Sequence, residues 1–274
     1  RGDSMKSSVS FWSYQKMIQS EQISLIEVLR LLEEMQVDQV ELLSDFMKDD
    51  ETHRQVSSFL KNSPLTVSSY SASNNFVAEE AERKANIAKI KEAVDIAKTY
   101  DTDVVRVFCA NATDKYSYEQ GIAMIVDSFK ECTSYAEQKD VTLALENHGM
   151  FAGKSQQVLD ILDAVGSPAL KATTDTGNFL LVCDDPVQAV SKLAKRVALV
   201  HFKDFKKSDT GYAAIDGQKY EGTIIGQGEV DLPKIVSILK ENGYNGALSI
   251  EYEGTDDDNV QAVKESVQYL KSLL

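Results

Sequence analysis

Glu146, Asp175, His201 and Glu251 are the residues of this chain whose types and spacing could do chemistry. Each closes a short apolar run, in the stretches VTLALENHG, TTDTGN, VALVHFKD and SIEYEG. By their numbers, successive members stand 29, 26 and 50 residues apart. One strand–helix repeat takes roughly 30 residues, so the first two steps are single repeats and the third is a repeat plus a long loop. Three carboxylates and an imidazole converging on one point would repel each other, and a divalent cation resolves that. An oxygen-rich set with one nitrogen favours Mn²⁺, with Mg²⁺ and Co²⁺ as alternatives, in an octahedral site with positions open to water or substrate. Structural zinc prefers Cys and His and fits poorly, although zinc as the bound ion stays open. Taken singly, each residue is a solvated strand end. Taken together, converging ionisable groups mark a site.

The elements that must position these residues follow from the hydrophobic pattern. Strands are predicted at Val9–Tyr14, Gln39–Leu43, Leu65–Tyr70, Val104–Cys109, Val141–Glu146, Leu170–Thr174, Val197–Phe202 and Leu248–Glu251. Helices are predicted between them at Ser24–Met35, His53–Lys61, Ala78–Thr99, Tyr116–Lys139, Ser155–Val165, Pro186–Leu193 and Leu232–Asn242, with Val260–Leu274 closing the chain. In Ala78–Thr99 the inner stripe is read as Ala81, Ala85, Ile87, Ala88, Ile90, Ala93, Val94 and Ala97. Eight alternations with no composition break and no Pro- or Gly-rich linker are the pattern of an α/β fold closed as a single-domain (β/α)8 TIM barrel. In such a barrel the chemistry lies at the carboxyl ends of the strands. Side chains alternate along a strand, so Glu146 and His148 share one face and Asn147 takes the other.

Composition narrows the function classes. The chain of 274 residues carries a formal net charge of −14, which disfavours general nucleic-acid binding. No run is apolar and long enough to span a membrane. Cys109, Cys132 and Cys183 are odd in number and widely spaced, so no disulfide framework is expected and a reducing cytoplasm fits. Arg1–Ser4 ahead of Met5 reads as an expression-tag remnant, leaving residues 5–274 as the barrel domain. A homo-oligomer stays open.

ENH, DTGN, HFKD and the stretch IGQGEVDLPKIVSILKENGYNGALSIEYEG resemble the xylose isomerase-like barrel superfamily, in particular its sugar phosphate isomerase/epimerase branch. The likeness is specific from about Val141 onward. It implies that Glu146, Asp175, His201 and Glu251 bind a divalent metal, and that Glu146 and Glu251 are also the acid/base pair. The expected activity is isomerisation or epimerisation of a ketose or keto-polyol through a metal-stabilised enediolate. One alternative is a lyase dehydrating an inosose or 3-keto sugar, and another is a barrel that binds sugar or metal without turnover. Apurinic endonucleases of this fold need a histidine-rich cluster that three histidines cannot supply. The pattern departs at Asn178, where many relatives carry His.

His148, Asn178, Lys203 and Trp12 are the expected substrate contacts. Three of them have a plainer reading: support of the metal ligands for His148, charge balance for Lys203, core packing for Trp12 and its neighbour Phe11. Glu253 is read as a solvated loop carboxylate, His53 as exposed, and Arg106 as either an ion pair or a substrate contact. Asp256, Asp257 and Asp258 argue against a phosphorylated substrate, while Lys206, Lys207 and Lys219 keep it open and a neutral sugar is preferred. The long loop Phe205–Gly228 is a candidate lid.

Overall fold

The computed structural model describes residues 4–274; Arg1–Asp3, where most of the expected tag remnant falls, lie outside them. The strands in chain order are β1 (Lys6–Ser10), β2 (Gln39–Leu43), β3 (Thr66–Ser71), β4 (Val104–Val107), β5 (Thr142–Glu146), β6 (Leu170–Asp175), β7 (Val197–Phe202), β8 (Phe205–Ser208), β9 (Tyr212–Ala213), β10 (Lys219–Gly222) and β11 (Ala247–Ile250). Eight of them pair in parallel in the order β3-β2-β1-β11-β7-β6-β5-β4. Ala72 N–H donates to Arg106 O at 2.9 Å across the seam between β3 and β4. With helices covering the outside, this is a nearly closed, single-domain (β/α)8 barrel, as the alternation predicts.

Several predicted elements shift. Val9–Tyr14 is not one strand: β1 stops at Ser10, whose Oγ accepts from Trp12 N–H at 3.1 Å, and Phe11–Tyr14 turns as a 3-10 helix. A serine cap there outweighs the β preference of the aromatic residues. The helix predicted from His53 begins at Asp50, capped by the Asp49 carboxylate. In the helix Glu80–Thr99, Ile87, Ile90, Ala93, Val94 and Ala97 are buried, but Ala81, Ala85 and Ala88 face solvent. Alanine marks a face weakly because it loses little by exposure.

The chain between β7 and the next barrel helix is ordered. β8, β9 and β10 form a three-stranded antiparallel sheet, in which Phe205, Ala214 and Tyr220 pack on Leu180 and Leu181. Its base is pinned by Asp204, whose Oδ2 accepts from Gly226 N–H at 3.0 Å and Gly228 N–H at 2.9 Å, and whose Oδ1 accepts from Val230 N–H at 3.2 Å. This is why IGQG has its second glycine: a Cβ on Gly228 would stand 2.3 Å from both Asp204 Oδ1 and Phe205 O. Gly228→Ala is expected to destabilise the fold by about 1–3 kcal/mol, read as a lower urea midpoint at unchanged slope. An unchanged midpoint would mean that the turn relaxes freely.

Candidate metal and active site

Glu146 ends β5, Asp175 ends β6, His201 lies in β7 and Glu251 follows β11. All four are buried, and one ligand atom from each lies within 4.8 Å of all the others. The imidazole is the hub. His201 Nδ1 is 2.6 Å from Glu146 Oε1, 2.5 Å from Glu251 Oε2 and 3.7 Å from Asp175 Oδ2. His201 Nδ1 makes no well-directed hydrogen bond with any of them, and Asp175 Oδ2 has only the Lys203 ammonium, 3.0 Å away, beside it. Buried polar atoms without partners are costly. Three carboxylates and a ring nitrogen crowded this closely are what a cation would satisfy. The residues fit a divalent ion.

The surroundings aim the ligands. Asp175 Oδ1 accepts from the backbone N–H of Gly177 at 3.0 Å and Asn178 at 2.9 Å, leaving Oδ2 to face the cluster. Gly177 admits the Lys203 stem, which would meet a Cβ at 2.9 Å. Asn147, on the opposite face of β5 from Glu146, accepts from Asp175 N–H at 2.7 Å and donates to Asp175 O at 3.0 Å. On the far side of the ring, His201 Nε2 is 2.9 Å from Glu41 Oε2. With Nε2–H donating to Glu41, the Nδ1 lone pair would be left to a cation in the cluster. Ser71 Oγ–H donates to the same Glu41 oxygen at 2.7 Å.

Glu41 is the site residue that the sequence reading does not single out. The signal was a carboxylate inside the apolar run QVELL, in a strand buried on both sides.

Charges here are strongly coupled. Burial and the neighbouring Glu251 raise the Glu146 carboxyl, but His201 and Arg106 hold it down to about 2. Burial opposes the charged form of Glu251 too, yet His201 and Lys203 keep it well below the usual carboxylate range. Burial disfavours the His201 imidazolium, but Glu251, Glu41 and Glu146 raise the ring well above its ordinary value. A cation therefore competes with a proton at Nδ1, and metal affinity falls as pH falls. Occupancy at a hundred times Kd stabilises a fold by about 2.7 kcal/mol, roughly 5–10 °C in Tm for a chain of this size. Mn²⁺ is expected to produce that rise in calorimetry at neutral pH and EDTA to abolish it; equal Tm values would remove the metal site.

The expected substrate contacts divide. Trp12, His148, Asn178 and Lys203 all line one cavity of about 640 Å³ above the cluster. The His148 side chain is exposed there, its ring 5.0 Å from that of Phe108. Asn178 is buried and its amide is already engaged: it donates to Asn147 O at 3.0 Å and Glu146 Oε2 at 3.4 Å, and accepts from Lys203 Nζ at 3.3 Å. The Lys203 ammonium lies among Asp175 Oδ2 at 3.0 Å, Glu251 Oε1 at 2.9 Å and Glu253 Oε1 at 3.0 Å.

Glu253 is not a solvated loop carboxylate. Its side chain is only 11% exposed and it accepts from Trp12 Nε1–H at 2.9 Å, so the indole is fixed in the cavity wall while Phe11 packs in the core. Burial and Glu251 push the Glu253 carboxyl up to about 7 against the pull of Lys203. Arg106 is an ion pair first, 3.3 Å from Glu146 Oε1, with its guanidinium 4.1 Å from the Phe108 ring centre. His53 is half-buried rather than exposed, its Nδ1 2.7 Å from the Tyr100 hydroxyl. Lys206, Lys207 and Lys219 are exposed on the hairpin sheet and do not line the cavity, so they do not make a phosphate pocket there.

No helix among the described residues is long and apolar enough to cross a membrane. Cys109 and Cys132 are buried free thiols, and Cys183 is an exposed one.

Known proteins of similar sequence and structure share this architecture. The chain is 28% identical over 158 residues to 3-oxo-isoapionate decarboxylase of Pectobacterium atrosepticum, covering 57% of this chain and 54% of that one. It thus spans about half the length of the first curated relatives it matches. It is 23% identical to inosose isomerase of Bacillus velezensis, over 92% of this chain and 94% of that protein. The crystal structure of IolI protein with a bound zinc atom superimposes with a TM-score of 0.78 at 19% identity, covering 98% of this chain and 96% of that one. Residues 29–273 match the family description itself, and on that match the chain belongs to the xylose isomerase-like TIM barrel family.

Proposed function

We propose that this protein is a divalent-metal-dependent isomerase or epimerase of a keto sugar or keto-polyol, with Glu146 and Glu251 as its acid/base pair. The observation that carries the reading is the placement of those two carboxylates. They approach one imidazole nitrogen at 2.6 and 2.5 Å from β5 and from the end of β11, with β6 and β7 between them in the sheet. Two glutamates so separated flank a substrate carbon held between them.

Glu146, Asp175, His201 and Glu251 would hold the ion, Mn²⁺ by preference for this ligand set. When bound, it polarises a substrate carbonyl and acidifies the neighbouring C–H. Everything else falls to the chain. One glutamate takes the proton from the carbon and the other delivers one, to the opposite face of the same carbon for epimerisation or to its neighbour for isomerisation. Lys203, buried at the cavity floor among Asp175, Glu251 and Glu253, offsets their charge and supports developing negative charge through its field, and the barrel floor excludes bulk water from the carboxylates. The relatives named above include an isomerase and a decarboxylase, so the fate of the enediolate is the variable step within this reading.

The test is proton NMR in D2O with Mg²⁺-loaded protein and a panel of ketoses, inososes and 3-keto glucosides. Deuterium is expected to enter beside the carbonyl, and the product separates epimerase, isomerase and lyase. No exchange on any member, repeated with Mn²⁺ and Co²⁺ and chelated before reading, would overturn proton transfer on these substrates and shift weight to the binding-protein alternative or to a substrate outside the panel.

A further inference from the structure

The cavity above the cluster has two chemically different halves. Its floor carries Glu146, Glu251, Lys203 and Asn178, whereas its rim carries Met150, Leu181, Val182, Tyr212 and Ile215 beside the exposed polar Asp45, His148 and Lys154. Five large hydrophobic side chains are exposed among the described residues, and three of them stand on this rim: Met150 at 49%, Tyr212 at 51% and Ile215 at 67%. Single exposed apolar residues are ordinary. Three converging on the mouth of one cavity, Met150 from the loop after β5 and Tyr212 and Ile215 from the hairpin sheet, form a ligand-facing patch.

The rim is built, not frayed. Ile215 N–H donates to Leu181 O at 2.9 Å, tying the hairpin sheet to the segment after β6, and Ala214 beside it is buried. The polar floor matches a keto sugar, which bears oxygen on nearly every carbon and has no use for Met150 or Ile215. The volume of about 640 Å³ also sits mid-range among sites that enclose drug-sized ligands rather than a bare monosaccharide.

We infer, resting on the proton-transfer reading above, that the substrate is a keto sugar bearing an apolar substituent, an alkyl or aryl glycoside. Its sugar ring lies on the floor and its apolar group lies against Met150, Tyr212 and Ile215.

Trp12, the one tryptophan of the chain, lines the cavity, so its fluorescence reports occupancy without requiring turnover. Mg²⁺-loaded protein would be titrated with methyl, hexyl and phenyl 3-keto-glucosides. Hexyl and phenyl compounds are expected to bind about tenfold or more tightly than methyl. Met150→Ser and Ile215→Ser should bring that ratio toward one with the circular dichroism spectrum retained, and Leu274→Ser, exposed away from the cavity, should leave it in place.

Equal affinity for methyl and hexyl compounds would overturn the inference. If deuterium still enters the methyl compound, the proton-transfer reading survives that failure. A strong alkyl preference with no exchange on any compound would keep the apolar subsite and sink the proton-transfer reading instead. Sedimentation showing a dimer that Met150→Ser and Ile215→Ser dissociate, with no alkyl preference, would assign the rim to a second copy of the chain and also overturn the inference.

Discussion

Glu146→Gln and Glu251→Gln are each expected to slow product formation by about 10²–10⁴-fold, the usual worth of a positioned acid or base. The amide keeps the volume of the buried side chain but can neither take nor return a proton. Each glutamate also belongs to the candidate metal set, so lost occupancy must be separated from lost proton transfer. Measuring Mn²⁺ binding to each variant, then assaying at saturating Mn²⁺, does this: activity should stay low when the metal is restored. The two variants also need not behave alike. One that still washes deuterium into the starting ketone while forming no product leaves the first base intact and has lost the acid. A fall of less than tenfold in both at saturating metal would remove the glutamate pair from the chemistry.

Glu41→Ala is expected to weaken Mn²⁺ binding by about 10–100-fold although Glu41 is outside the ligand set, since groups that orient a metal-bound histidine typically carry that much. Its carboxylate accepts the Nε2 proton of His201 at 2.9 Å and so keeps Nδ1 free for the cluster. Without it, Nε2–H has no partner in a fully buried site and the ring is free to change tautomer or rotate. Glu41→Gln should fall between wild type and Glu41→Ala, because its amide oxygen can still accept from Nε2. Titration calorimetry with Mn²⁺ decides it, and an unchanged Kd in Glu41→Ala would show that barrel packing alone orients the imidazole.

How far the sequence reaches into this structure depends on the range of the interactions involved. Gln39–Leu43 and Val197–Phe202 are strands, and Ser155–Val165 and Pro186–Leu193 helices, at the predicted bounds, because aliphatic runs and caps are local. The four candidate ligands were legible for the same reason, each being a polar residue at the end of an apolar run. Glu41 was not, because its partner His201 lies 160 residues further along the chain. Glu253 misread as solvated for a like reason: the indole that covers it is 241 residues away. Ser10 was local and still missed, since one serine cap had to be weighed against three aromatic residues that favour strands.

The pinned base of the hairpin sheet separates two inheritances. Chain leaves the barrel after Asp204 and rejoins it at Thr223, whose N–H donates to Asp204 O at 3.2 Å, and the Asp204 carboxylate secures the glycines beyond. The segment from Phe205 to Gly222 is a cassette whose ends meet at that stitch and whose other ties are to Leu180, Leu181 and Gly254. A lineage keeping Asp204, Gly226 and Gly228 could exchange the cassette for another without refolding the barrel or moving Glu146, Asp175, His201 or Glu251. Descendants of one such ancestor would then diverge in diet while sharing a reaction, and grafting the segment between two of them would be expected to carry the appetite across and leave the chemistry behind.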